Sequence, residues 1–352
     1  MRRGLIACSR TELPEAVLDA RLDRLRTAMA QARLDALIVY TNNTRPAGVS
    51  WLTGFVPYWS EALLVVPRQG GPALVVALTY RVKSWIERTS RVADVIHTPR
   101  IGLEAGRMIA ASKSDAEVGI ADFDGLSAGI ADDLREGGPR LALTDASELF
   151  GRLRGKADPA EIALAAKAAS IAHHALTQIP RDGADLGKSV AAVEARARGL
   201  GAEEIYIAAS ADLGRNHRLQ RIEGEATLGR AFALRATVAY KGSWVRVVRT
   251  VYRDDPTLSR RATEQFAAAV AGLPSDSGFS GAASWLVEGC RLAQPLDAVM
   301  GSRVTPPQIP MPTLVSVQAR IDIDGKPVLV GAPALIGERF EAASLLVHPI
   351  FE

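Results

Sequence analysis

Apolar positions recur along this chain with two different periods, and each change of period marks an element. Leu18, Leu22, Leu25 and Met29 fall at helical spacing within residues 15–33 and predict an amphipathic helix with one buried stripe. Ala36–Tyr40 (ALIVY) then reads as a buried strand. Two more apolar runs, Ala62–Val66 and Ala73–Leu78, flank the segment PRQGGP, which is hairpin chemistry. Beyond them Val92–Ile96, Val118–Ala121 and Leu141–Leu143 alternate with helical patterns at 81–90, 101–112 and 125–136. Strands alternating with helices predict an α/β layer on a largely parallel sheet, a first domain of residues 1–150.

A second domain, residues 151–352, begins with a strong helix signal. Asp158 can cap the free N–H groups, Pro159 suits the first turn, and Glu161 can reach back as a capping box. Ile162, Ala166, Ala169, His173, Leu176 and Ile179 follow on one face. A second helix is predicted at 185–197, then a strand at Glu204–Ala208 and a polar loop at Asp212–Arg221. Two β-rich runs come next, Ala231–Tyr240 and Ser243–Thr250, turned at Lys241–Gly242. Helices near 257–272 and 279–293, a proline-rich loop at 305–312, and strands at Leu314–Ile323 and Pro327–Val330 complete the chain. Helices followed by antiparallel strands predict an α+β layer.

The hairpin holds charge inside its apolar arms. Arg235 stands between Leu234 and Ala236, and Arg246 between Val245 and Val247. Strand alternation puts Arg235 on the face of Ala233 and Thr237, and Arg246 on the face of Trp244 and Val248. Pattern alone reads this as an edge hairpin with solvated arginines.

Composition narrows the function. At 352 residues and 48% hydrophobic, the chain can bury a sizeable core. A net charge of +3, no lysine/arginine run and 5% aromatics speak against a nucleic-acid partner. Cys8 and Cys290 form no disulfide framework and no metal knuckle, which suits a reducing cytoplasm. The start, MRRGLIAC, has an apolar run too short for a signal, and no segment approaches the roughly 18–20 apolar residues that cross a bilayer. A cytoplasmic protein without membrane contact is expected. His97 stands alone, and His173 and His174 are adjacent on a helix and cannot chelate one metal together, so all three read as packing or surface residues.

Three motifs in order resemble the creatinase/prolidase/Xaa-Pro aminopeptidase family. Val49-Ser50-Trp51-Leu52-Thr53-Gly54-Phe55 is similar to that family's "xxYLTGF" strand. Leu153 to Ile162 (LRGKADPAEI) is similar to the "LRxxKsxxEI" that opens its catalytic domain, and Tyr240-Lys241-Gly242 with Arg249-Thr250 is similar to "yxGyxxDxtRT". The resemblance implies an α/β N-terminal domain and a "pita-bread" α+β C-terminal domain. It also implies pairing, as a homodimer or as a heterodimer with a catalytic paralogue, and the aromatics of Trp51–Phe55 with Tyr58 and Trp59 either offer a patch for such an interface or belong to the core.

The departures from that pattern matter more. The family's peptidases hold two metal ions through two aspartates, a histidine and two glutamates. Counted from Arg249-Thr250, the aspartate positions fall on Arg235 and Arg246, eleven residues apart. The first glutamate position falls on Gln318 and the second near Gly331–Ala332. No histidine lies between His217 and His348, so the family's "HGxGH" segment is absent. Guanidinium is a permanent cation with no lone pair to offer a metal, so no metal and no other cofactor is expected.

Creatinase, the metal-free enzyme of the family, uses a histidine as acid/base, and His217 lies within about one residue of that position. The favoured reading is a metal-free, non-catalytic binding or partner subunit. Arg235, Arg246 and Gln318 would line a pocket for a small anion, a carboxylate or phosphate. The alternatives are a metal-independent C–N hydrolase with His217 as acid/base, for which Glu203, Glu204, Asp322 or Asp324 could also serve, and a metallopeptidase whose ligands lie elsewhere. The competing account of the arginines is internal neutralisation by Asp322, Asp324, Glu338 or Glu341.

Overall fold

The computed structural model describes residues 10–43, 45–57, 59–179, 185–221, 225–273, 284–289, 313–337 and 343–351. The chain divides into two compact units, Met1–Arg154 and Gly155–Glu352.

The first unit is α/β. Its elements are α1 (Glu15–Gln31), β1 (Ala36–Asn42), α2 (Ala47–Thr53), β2 (Glu61–Pro67), β3 (Ala73–Val76), α3 (Lys83–Thr89), β4 (Asp94–His97), α4 (Ile101–Ser112), β5 (Glu117–Ala121), α5 (Ala128–Gly137), β6 (Ala142–Asp145) and α6 (Ser147–Gly155). The sheet runs β4-β3-β2-β1-β5-β6. It is mixed rather than largely parallel, because the PRQGGP turn returns the chain and β2 pairs antiparallel with both β1 and β3. The other three pairings are parallel. Strands such as β1 and β2 are buried over nearly their whole length, which explains why their sequences are continuous apolar runs.

Two expectations fail here. The stretch expected as a family strand, Val49–Phe55, is helix α2 for most of its length. Thr53 Oγ1 donates to the Val49 carbonyl at 2.8 Å, and Gly54 closes the helix with φ 78°. Trp51 and Phe55 consequently face the core, and Trp51 packs edge-on against Phe150 at 5.9 Å. They are not available as an interface patch; Trp59 is exposed, and Tyr58 lies outside the described residues. The buried stripe of α1 also differs by one position. Arg21 takes the place expected for Leu22, donating from Nη1 to the Trp51 carbonyl at 2.8 Å with its guanidinium against the Trp51 ring.

The second unit holds α7 (Pro159–Leu176), α8 (Leu186–Gly199), β7 (Glu204–Ser210), β8 (Ala231–Tyr240), β9 (Ser243–Tyr252), α9 (Thr257–Ala271), β10 (Ser284–Gly289), β11 (Thr313–Ile323), β12 (Lys326–Ile336) and β13 (Ala343–Leu345). The capping box of α7 forms as expected: Asp158 accepts from the Glu161 N–H at 3.0 Å, and Glu161 accepts from the Asp158 N–H at 3.2 Å. Both tight turns place two residues at positive φ, Lys241–Gly242 and Asp324–Gly325, as two-residue hairpin loops require. The helix expected over 279–293 is contradicted, because Ser284–Gly289 is a strand paired with β11. A short apolar run such as Trp285-Leu286-Val287 does not distinguish helix from strand by period, and a partner strand decides it.

The sheet runs β10-β11-β12-β9-β8-β7, with β13 on β12. One face packs against the helices. Leu234, Ala236, Val238, Val245 and Val247 meet the alanine-rich side of α7, and Val315, Val317, Val328 and Val330 meet α9. The two halves of the sheet join at a narrow seam. Among the described residues β9 and β12 share one registered pair, Gly331 with Val248. The Thr250 hydroxyl reinforces it by donating to the Leu329 carbonyl at 2.6 Å and accepting from the Leu329 N–H at 3.0 Å.

Candidate functional site

The face turned away from the helices carries the candidate site. Antiparallel register puts Arg235 opposite Val248 and Arg246 opposite Thr237, so both arginines share that face. Across the seam, Gln318 is opposite Gly331 and brings β11 to the same place. Arg235 Nη1 donates to Gln318 Oε1 at 3.2 Å, a bond from one half of the sheet to the other.

The reading of an edge hairpin with solvated arginines is therefore overturned. β8 lies between β7 and β9, and β9 meets β12, so neither arm is an edge. Arg246 is 1% exposed, Arg235 4% and Gln318 0%. The third arginine of the hairpin, Arg249, points to the opposite face. It donates to the Leu176 carbonyl at 2.6 Å and lies against the Phe351 ring.

His217 sits on the loop after β7, exposed, and reaches the same region through one contact. Its Nδ1 is 3.2 Å from Arg320 Nη1, and Arg320 follows Gln318 on the same face of β11. The loop is held by its own polar residues. Gly214 N donates to Asp212 Oδ1 and Arg218 N to Asn216 Oδ1, both at 2.9 Å, while the Ser210 hydroxyl donates to the Asn216 carbonyl. The structure thus puts Arg235, Arg246 and Gln318 on one face and sets His217 against Arg320, two residues beyond Gln318 on β11.

Two of the four acidic residues proposed to neutralise the arginines pair with other arginines. Asp322 is 3.5 Å from Arg320, and Asp324 pairs with Arg261 at 2.7 Å. Glu338 and Glu341 lie outside the described residues. Of the proposed bases, Glu203 accepts from the Gly242 N–H at 3.2 Å, and Glu204 accepts from the Tyr206 hydroxyl at 2.7 Å.

Alternation along β11 also brings residues that the motifs did not single out. Ser316, Gln318, Arg320 and Asp322 share one face, and this was readable from the strand pattern itself. Ser316 Oγ and Gln318 Nε2 are sealed from solvent and have no hydrogen-bond partner among the described residues. On β7 and β9, Tyr206 and Trp244 stack with ring centroids 5.8 Å apart and planes inclined by 25°. Both belong to the same face as Arg246, and both are partly exposed.

A dinuclear metal centre does not fit this chemistry. Two of the four strand positions are guanidinium groups, the third is an amide whose oxygen already accepts from Arg235, and Gly331 has no side chain. Among the described residues no group of three or more His, Cys, Asp or Glu could hold a metal ion. No helix among them is long and apolar enough to cross a membrane.

Comparison with known proteins accords with this architecture. Residues 21–155 match the Creatinase/Prolidase N-terminal domain. No curated protein matches the sequence. Among solved structures, the X-Pro aminopeptidase from Thermotoga maritima is similar at TM-score 0.70 and 13% identity, over 94% of this chain and 99% of that one. The Xaa-Pro dipeptidase from Bacillus anthracis gives 0.67 at 16% identity over 94% and 97%. The prolidase from Pyrococcus furiosus gives 0.64 at 16% identity over 92% and 98%. At such identities the likeness is one of fold.

Proposed function

From a chain that joins a creatinase/prolidase N-terminal domain to a C-terminal half of the prolidase and X-Pro aminopeptidase fold, we propose a metal-free, non-catalytic protein that binds a small anion. The observation that carries this reading is the replacement of the expected carboxylates by Arg235, Arg246 and Gln318 on one buried face. Two guanidinium groups there repel a divalent ion. What they offer instead is N–H donors in fixed forks, suited to carboxylate or phosphate oxygens.

The neighbouring groups support the same polarity. The Gln318 amide nitrogen and the Ser316 hydroxyl have no hydrogen-bond partner among the described residues, so both can donate there. Such a set favours an acceptor-rich partner. In a site this dry each charge-assisted bond is stronger than in water.

Calorimetry on the purified protein with acetate and with inorganic phosphate at millimolar concentration, alongside elemental analysis, tests the proposal. Saturable binding of one anion is expected, lost in the Arg235→Met/Arg246→Met double variant, whose fold is kept. About two metal ions per chain, or no anion binding together with a double variant that merely loses stability, would overturn it.

A further inference from the structure

We propose a separate ligand site in the first unit, an apolar cleft beside α1 that takes a short aliphatic monocarboxylate with Arg26 as its charged anchor. It does not depend on the anion reading above, since it lies on the other sheet and uses other residues.

The cleft has a volume of about 220 Å³ and lies between α1, the end of α2, β2, the turn from β2 to β3 and the segment before β4. Its origin is in the helix pattern. The buried stripe of α1 is Leu18, Arg21, Leu25 and Met29, so Leu22 and Arg26 stand one turn apart on the flank of that stripe. Leu18, Leu52, Leu64 and Val66 make an almost wholly sealed floor, and Leu22 and Val92 are half-buried walls. Close-packed interiors leave few voids larger than a water molecule, and an apolar void of such size takes an apolar guest.

Four polar side chains line the cleft, Asp19, Arg26, Thr53 and Arg91, and three of them are engaged. Thr53 Oγ1 donates to the Val49 carbonyl at 2.8 Å and accepts from the Phe55 N–H at 3.0 Å. Arg91 pairs with Asp19 at 3.3 Å and with Glu15 at 3.7 Å. Arg26 differs. It is half-buried, donates from Nη2 to the Gly70 carbonyl, and has no acidic partner among the described residues. A guanidinium has N–H donors on three nitrogens, so one hydrogen bond leaves most of them for a ligand. An apolar floor with one uncompensated cation at its margin matches a molecule with an apolar body and a single carboxylate. An amine would meet Arg26 with like charge, and an alcohol would leave that charge unanswered. By proportion with an apolar cavity of about 150 Å³ that holds benzene, the cleft holds about eight or nine non-hydrogen atoms, the size of hexanoate.

Titration calorimetry of the full-length protein with acetate, butanoate, hexanoate, octanoate and hexan-1-ol tests the site. One hexanoate per chain is expected to bind, with affinity rising about fourfold per methylene from butanoate and levelling off once the cleft is full. Arg26→Gln should weaken hexanoate about ten- to hundredfold and leave hexan-1-ol unchanged. Leu22→Trp, which fills the cleft from the flank of α1, should abolish both. The Arg235→Met/Arg246→Met variant should bind hexanoate as the wild type does. Hexanoate binding without acetate binding supports the cleft while removing the anion site of the second unit. Hexanoate no tighter than acetate overturns the cleft and leaves that anion site standing. Binding that survives both Arg26→Gln and Leu22→Trp, or that is lost in the Arg235→Met/Arg246→Met variant, also overturns it. The chain-length series is read on wild-type protein, so it decides the matter even where Leu22→Trp does not fold.

Discussion

The two sheets of this protein are buried in different ways. In the first unit β1, β2 and β3 are enclosed, and the residues they bury are almost all aliphatic. In the second unit β7, β8, β9 and β11 are enclosed over most of their length, yet one face buries Arg235, Arg246, Thr237, Ser316, Gln318 and Glu204. Aliphatic burial stabilises a sheet by removing apolar area from water, whereas burying a guanidinium costs free energy that its partners must offset. The contrast teaches that the first sheet is shaped by packing alone. The second keeps on one face groups that packing would not choose.

Breaking the packing on the aliphatic side should produce the largest effect. Phe150→Ala empties a fully buried site against Trp51 and is expected to destabilise the first unit by about 3–5 kcal/mol. Denaturant unfolding should show the loss, while anion affinity of the folded fraction stays unchanged. A matching fall in affinity would erase the distinction drawn between the sheets.

A smaller effect is expected on the polar face. Gln318→Leu removes the acceptor of Arg235 Nη1 and should cost about 1–3 kcal/mol. Unlike the Phe150 change, it should also weaken anion binding. A neutral or stabilising result would place Gln318 outside the network.

The smallest effect is one of pH. His173 is half-buried, stacked on Phe351 with ring centroids 4.6 Å apart. Burial, helped by the charges of His174 and Arg249, holds its imidazole below the ordinary value of 6.5. Between the lowered value and 6.5 the unfolded chain binds the proton and the folded chain does not. Stability is therefore complete above about pH 6.5 and falls as pH drops through the lowered value. His173→Phe should flatten that slope in thermal scans between pH 7 and 5, and an unchanged slope would assign it to other groups.

Much of the fold was legible because it is written in local chemistry. The Asp158–Glu161 capping box, the Lys241–Gly242 turn and the alternating strands each follow from neighbouring residues. What the sequence did not disclose depends on distant partners. Whether Arg235 and Arg246 are solvated or sealed is decided by β7 on one side and β12 on the other, neither of them contiguous with the hairpin. Ser284–Gly289 becomes a strand because β11 is there to receive it. Val49–Phe55 becomes a helix because Gly54 can adopt a positive φ and end one. The site residues were found by spacing from the Arg249-Thr250 pair. The Tyr206–Trp244 stack was not, because it joins strands far apart in sequence with a third between them.

The seam at Gly331 bears on whether this face could be rebuilt to hold a metal ion. A carboxylate at that position would first need a Cβ, and that atom would lie 2.9 Å from Gln318 Cγ, 2.9 Å from Val248 Cγ2 and 3.0 Å from the Val317 carbonyl oxygen. The first two contacts could relax by side-chain movement, but the third is backbone of the neighbouring strand. Placing acidic residues at 235, 246 and 318 would need only substitutions. Placing one at 331 would also need β11 and β12 to shift by a few tenths of an ångström, because the Val317 carbonyl belongs to the strand paired with β12. Three of the four positions take an acidic residue by substitution alone, whereas the fourth also asks the backbone to give.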